Sequence, residues 1–67
     1  MNFRLLRVKM VENDIDVKKL SDKLEISPVT FWRKKNGISD FNRNEIRIMR
    51  DALNLSGEDV MSIFFSD

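Results

Sequence analysis

The segment Val17–Gly37, VKKLSDKLEISPVTFWRKKNG, constrains the fold more than any other part of this chain. Its apolar residues recur at intervals of three and four, the period of a helix packed along one side. Val17, Leu20 and Leu24 form one such stripe, with Lys18, Lys19, Asp22 and Lys23 facing away from it. The pattern breaks at Glu25-Ile26 and resumes behind Ser27 and Pro28. A serine hydroxyl accepts from the free N–H groups of a helix start, and proline at the first helical position forfeits no hydrogen bond. Gly37 ends the second run. The segment therefore reads as two short helices joined by a tight turn.

The rest of the chain continues in the same idiom. One proline and two glycines are too few for a sandwich or barrel, whose turns need them often. A first helix is expected over Asn2–Glu12, with Asn2 as its cap and Phe3, Leu6 and Met10 on one stripe. Asn13 and Asp14 end it, both types that tolerate a left-handed backbone. Asp16 caps the second helix without a capping-box partner, since Lys19 stands where the acid would be. Ile38–Phe41 reads as a loop whose Ile38 and Phe41 tuck into the core. Asn42 opens a fourth helix, with Glu45 as its capping-box partner and Ile46, Met49, Ala52 and Leu53 as its buried stripe; Asn54 closes it. Ser56 and Asp59 repeat the cap-and-acid pattern for a short fifth helix, Gly57–Phe65. The expectation is one all-α domain over residues 1–67, a compact five-helix fold.

Composition narrows the chemistry. A chain of 67 residues buries only about 60% of its unfolded surface, so its core is small. It has no cysteine and no histidine. That rules out thiolate or imidazole metal ligation and Ser-His or Cys-His catalysis. No enzyme, cofactor or metal is expected. No apolar run is long enough to span a membrane, and the start, MNFRLLRVKM, lacks the apolar core of a signal peptide. A soluble, intracellular protein is expected. Charge is polarised: residues 1–50 hold all 12 Lys and Arg against 7 acids, a balance of +5. Residues 51–67 hold 4 acids and no base. One end suits a polyanion and the other does not.

A basic helix set behind a turn is how a helix-turn-helix presents a recognition helix to the major groove of DNA. Phe31 supplies the side that docks on the domain. Ser27, Val29, Thr30 and Arg33 converge on the other side. Arg33 can pair bidentately with guanine, and Val29 and the Thr30 methyl suit a thymine methyl group. Read alone, Arg33, Lys34 and Lys35 are also the solvated end of a helix complementing its own dipole. Behind the Ser-Pro start they read as DNA contacts. Trp32 is expected beside Phe31, with the sugar-phosphate backbone as its other placement.

The chain resembles the Cro/repressor-type (XRE-like) helix-turn-helix family. The matching residues are Ile15, Leu20, Leu24, Ile26, Ser27, Thr30, Phe31, Arg33, Asn36 and Gly37, then Ile46, Leu53, Leu55 and Ser56. The fragment TFWRKKNG and the terminal IFF are most similar to small phage-encoded regulators of Gram-positive hosts. The resemblance implies a dimer on a palindromic operator, base contacts from Pro28, Val29, Arg33 and Thr30, and phosphate contacts from Asn36, Arg43 and the start of the second helix. The chain departs from the family at Val17, where Gln is common, at Ser21 for Ala, at Glu25 for a turn Gly, and at Lys34 for an apolar docking residue.

The expected function is thus sequence-specific DNA binding by a Cro-like repressor. The DNA-facing residues are Ser27, Pro28, Val29, Thr30, Arg33, Lys34, Lys35, Asn36 and Arg43. The alternative is an antirepressor that binds a partner repressor protein. Its warrant is the weak overall charge, Val17 at an anchor position and the apolar carboxy-terminal cluster, in which Met61, Phe64 and Phe65 either close the core or form a protein interface; the helix-turn-helix surface is the other candidate contact. That interface would take a second copy of the chain or another regulator.

Overall fold

Helices in this chain start where a side-chain oxygen meets a backbone N–H that has no partner inside the helix. In the structure, a computed structural model describing residues 1–65, Asn2 accepts from Leu5 N at 3.1 Å and Asp16 from Lys19 N at 2.8 Å. Ser27 accepts from Thr30 N at 3.1 Å, Asn42 from Glu45 N at 2.8 Å, and Ser56 from Asp59 N at 3.0 Å. These caps open α1 (Phe3–Glu12), α2 (Val17–Leu24), α3 (Pro28–Lys35), α4 (Arg43–Ala52) and α5 (Gly57–Phe64). Two become reciprocal boxes, because Glu45 accepts from Asn42 N at 2.9 Å and Asp59 from Ser56 N at 3.0 Å. Every cap named from sequence is in place, and no strand occurs among the described residues.

Helix ends follow backbone handedness. Asp14, Glu25 and Asn54 adopt φ of 53°, 59° and 53°, and Gly37 adopts 81°. The glutamate is the notable one. A left-handed Cβ costs on the order of 1 kcal/mol, and Glu25 carries that strain at the turn between α2 and α3.

The core gathers Leu6 and Met10 from α1, Leu20 and Leu24 from α2, Phe31 from α3, Met49 from α4 with Leu53 and Leu55 after it, and Ile63 from α5. α2 packs on α3 and α4, α1 packs on α5, and α4 touches α5. Asn2 N donates to Ile63 O at 2.7 Å, which ties the chain's start to its last helix. At the far end of α1, Asn13 Nδ2 donates to Lys9 O and to Leu53 O, and Asn54 Nδ2 donates to Asn13 Oδ1. One asparagine so fastens the end of α1 to the end of α4.

Two local expectations are corrected. Ile38 does not tuck inward; it is 67% exposed. Of the two, Phe41 packs inward, half-buried and edge-on to both Phe31 and Phe64, at centroid distances of 5.5 and 6.0 Å. On α4 the inward stripe begins with buried Glu45 rather than Ile46, which is half-exposed.

Candidate functional site

α3 has eight residues, PVTFWRKK, and their directions follow from the helical turn of about 100° per residue. Phe31 is 1% exposed and defines the inward direction. Lys34 and Lys35 lie about 60° and 40° to either side of it, so both point back toward the body of the domain. Val29, Trp32, Arg33 and Asn36 share an arc of about 100° on the opposite side.

The inward lysines are engaged. Lys34 Nζ is 2.9 Å from Glu45 Oε1, and the side chains are only 15% and 8% exposed. The same ammonium donates to Asp40 O at 3.1 Å and lies 5.9 Å from the centre of the Phe41 ring. Glu45 Oε1 thus receives Asn42 N and Lys34 Nζ together. A buried carboxylate needs such partners, because desolvation without them is expensive. Lys35 Nζ stands 4.2 Å over the Phe3 ring, a cation–π contact to α1. The expected DNA-facing role of Lys34 is therefore corrected: its charge is held inside, against α4. Lys35 is half-buried and leans on α1 rather than standing free.

Residues at the start of α3 are bonded to one another. Ser27 Oγ accepts from Thr30 N and donates to Thr30 Oγ1 at 3.0 Å. Pro28 is exposed at the first helical position, and Thr30 is half-buried. At the other end Asn36 Nδ2 donates to Trp32 O at 2.9 Å, closing the last turn.

The outward arc carries two apolar side chains. Val29 is 61% exposed and Trp32 56% exposed. Trp32 does not pack beside Phe31; about 100° of helix rotation separates neighbouring side chains, and the indole stands out into solvent. Arg33 is exposed and forms no ion pair among the described residues. The same holds for Arg43 at the first position of α4, where the helix dipole disfavours a cation. Lys18, Lys19 and Lys23 on α2, and Arg4 and Arg7 on α1, are also exposed and unpaired among the described residues. Other bases are occupied: Lys9 lies 3.6 Å from both Glu12 and Asp59, Arg50 pairs with Asp51, and Arg47 donates to Asn44.

The helical wheel of PVTFWRKK alone places Trp32 away from the side that Phe31 docks. Three positions after Phe31, Lys34 shares its side of the helix, a second signal that the sequence itself carries.

The carboxy-terminal cluster divides. Ile63 is fully buried and Phe64 half-buried, whereas Met61 and Phe65 are each 60% exposed. Phe65 borders a surface cleft with Phe41, Arg43 and Ile46. Among the described residues, no three His, Cys, Asp or Glu side chains gather as a metal site. No described helix is long and apolar enough to cross a membrane. Asp59 is the one described group with a clearly displaced pKa, held below the ordinary carboxylate value by the Ser56 backbone N–H first, then the Ser56 hydroxyl and Lys9. No family model matches the chain, and comparisons with curated proteins and with solved structures return no match.

Proposed function

We propose that this protein is a sequence-specific DNA-binding regulator of transcription, a Cro-like repressor. In this reading α2, the turn at Glu25 and α3 form a helix-turn-helix, with α3 as the recognition helix. The observation that carries it is the outward arc of α3. Phe31 anchors the helix while Arg33 faces out beside Val29, and it and cations on α2 and at the start of α4 are unpaired among the described residues. Such an arrangement offers a groove-sized helix to base edges and cations to phosphates on either side. Action follows by occupying an operator, palindromic if two copies bind together, in the cytoplasm of a bacterial host.

The test is fluorescence anisotropy with duplexes drawn from the DNA flanking the protein's own gene, against random duplex of equal length. Cognate binding should exceed random binding by at least about 10³-fold, the usual floor for specific recognition. Equal affinities for both would end this reading.

A second reading is favoured by one observation, the 60% exposure of Met61 and Phe65 on an acidic segment. The protein would then be an antirepressor that binds a partner repressor. The two readings predict opposite damage: Arg33→Ala removes operator binding in the first, and Phe65→Asp removes partner binding in the second. A pull-down of the regulator encoded next to its gene, with each variant, separates them.

A further inference from the structure

A cleft between α1 and the entry to α2 has no part in the contacts proposed for α3. Phe3, Met10 and Val11 line it from α1, and Ile15 and Val17 line it from the other side, around a volume of about 500 Å³. Val11 is 72% exposed, and Phe3, Ile15 and Val17 are half-buried. Arg7 and Lys19 stand on the rim, exposed and unpaired among the described residues. Of the two acids on the rim, Asp16 is engaged by Lys19 N as the cap of α2, and Asp14 lies past the end of α1. Open apolar side chains beneath unpaired cations suit an apolar segment that carries an acid.

α5 presents a segment of that kind. Ile63 is fully buried and defines its inward direction. At about 100° per residue, Glu58, Met61 and Phe65 share an arc of about 60° on the opposite side. Met61 and Phe65 are each 60% exposed, and Glu58 is exposed. Phe65 N donates to Met61 O, so Phe65 keeps the helical turn. Anchors spaced in this way are how an amphipathic helix seats in a groove. α5 has eight residues and α1 has ten, so they run about 12 and 15 Å, and one can lie along the other. Within one chain these two surfaces cannot meet. Lys9, which reaches Asp59 of α5, and Arg7 point about 160° apart around α1. The cleft and α5 therefore occupy opposite flanks of that helix.

We propose that the cleft receives α5 of a second copy of this chain, with Met61 and Phe65 against its apolar lining and Glu58 beside Arg7. Asp14 repels the acid at the far end of the cleft and so sets the direction of the docked helix. The contact joins two different surfaces. A pair of copies thus retains one open cleft and one open α5, and association continues head to tail. It needs no DNA and does not rest on the DNA-binding reading.

The experiment is sedimentation velocity of the full chain without DNA, from about 10 μM to about 1 mM, the range in which so small a contact associates. The average mass should rise with concentration and pass that of a dimer. Phe65→Asp and Val11→Glu should each weaken association at least about 30-fold, the effect of spoiling a central anchor. Both side chains are exposed, so each variant should keep the circular dichroism and Tm of the parent. Mixing the two variants is the decisive sample. Phe65→Asp retains an intact cleft and Val11→Glu an intact α5, so equal amounts should form a dimer that grows no further. Arg7→Glu should weaken association, and Glu58→Arg in the same chain should restore it. A monomer across the whole range overturns the inference, as does a mixture of the two variants that stays monomeric. A dimer abolished by Phe65→Asp and untouched by Val11→Glu overturns it in favour of α5 pairing with itself about a two-fold axis. Failure of Glu58→Arg to restore association overturns it as well. None of these results bears on operator binding by α3, which the anisotropy assay reads separately.

Discussion

Replacing Lys34 with methionine tests the inward placement of that side chain directly. The substitution keeps the stem that lies near Phe41 and removes the ammonium. Two contacts disappear, the 2.9 Å ion pair to Glu45 and the 3.1 Å hydrogen bond to Asp40 O. A hydrogen bond between charged groups contributes about 1.5–3 kcal/mol. Breaking a fully buried pair costs about 3–5 kcal/mol because one charge is stranded. Here Glu45 keeps its bond from Asn42 N and a little solvent, so the expected loss is about 2–3 kcal/mol. For a domain of this size that lowers Tm by about 10–20 °C.

The assay is a double-mutant cycle with Glu45→Gln, read by urea unfolding. Glutamine retains an acceptor for Asn42 N and carries no charge to strand. The double variant should therefore lose less than the two single losses combined, by about 1 kcal/mol or more. Losses that add to within about 0.5 kcal/mol, or single losses below that size, would place the pair among weak surface contacts and refute the reasoning. The DNA assay supplies an independent check. The slope of log affinity against log salt should not change with Lys34→Met, since that charge neutralises no phosphate. Arg43→Ala should flatten it by about 0.9, one phosphate's worth.

Ser21 sits on α2 fully buried with a hydroxyl that has no partner among the described residues, so Ser21→Ala should raise stability by about 1 kcal/mol in urea unfolding; a loss would mean the hydroxyl has a partner. Asn13→Ala severs the bonds to Leu53 O and Asn54 and should cost about 1–2 kcal/mol, with faster amide exchange at the adjoining ends of α1 and α4. Asp59 has a lowered pKa in the folded state, so its contribution is present above the unfolded value of 3.8 and disappears as pH falls through the folded value. Thermal unfolding followed from about pH 5 down to pH 2 should therefore show an acid-side decline that Asp59→Asn partly removes. Phe65→Asp should leave stability within about 0.5 kcal/mol, as for other exposed positions; a larger loss would show that the ring serves the core.

By itself the sequence determined which segments are helical and where each begins. Asn2, Asp16, Ser27, Asn42 and Ser56 cap backbone groups only three residues away, and the stripes through Leu6, Leu20, Phe31 and Met49 repeat within a turn or two. These are interactions among near neighbours, so adjacent letters carry them. Trp32 was expected beside Phe31 and stands outward instead; the constant angle by which a helix turns per residue is the signal that would have shown it.

The tertiary structure decided what meets what across elements. Lys34 looks basic and available until α4 brings Glu45 against it, and Lys35 until α1 brings Phe3 beneath it. Asn13 reads as a helix breaker until Leu53 O, forty residues on, accepts its amide. A charge alone in sequence is free, but beside a buried carboxylate or a ring face it is held. Only the packing of the helices supplies that neighbour. The basic helix read within Val17–Gly37 thus keeps its place, and its outward face is one arginine with Val29, Trp32 and Asn36 rather than a cluster of cations.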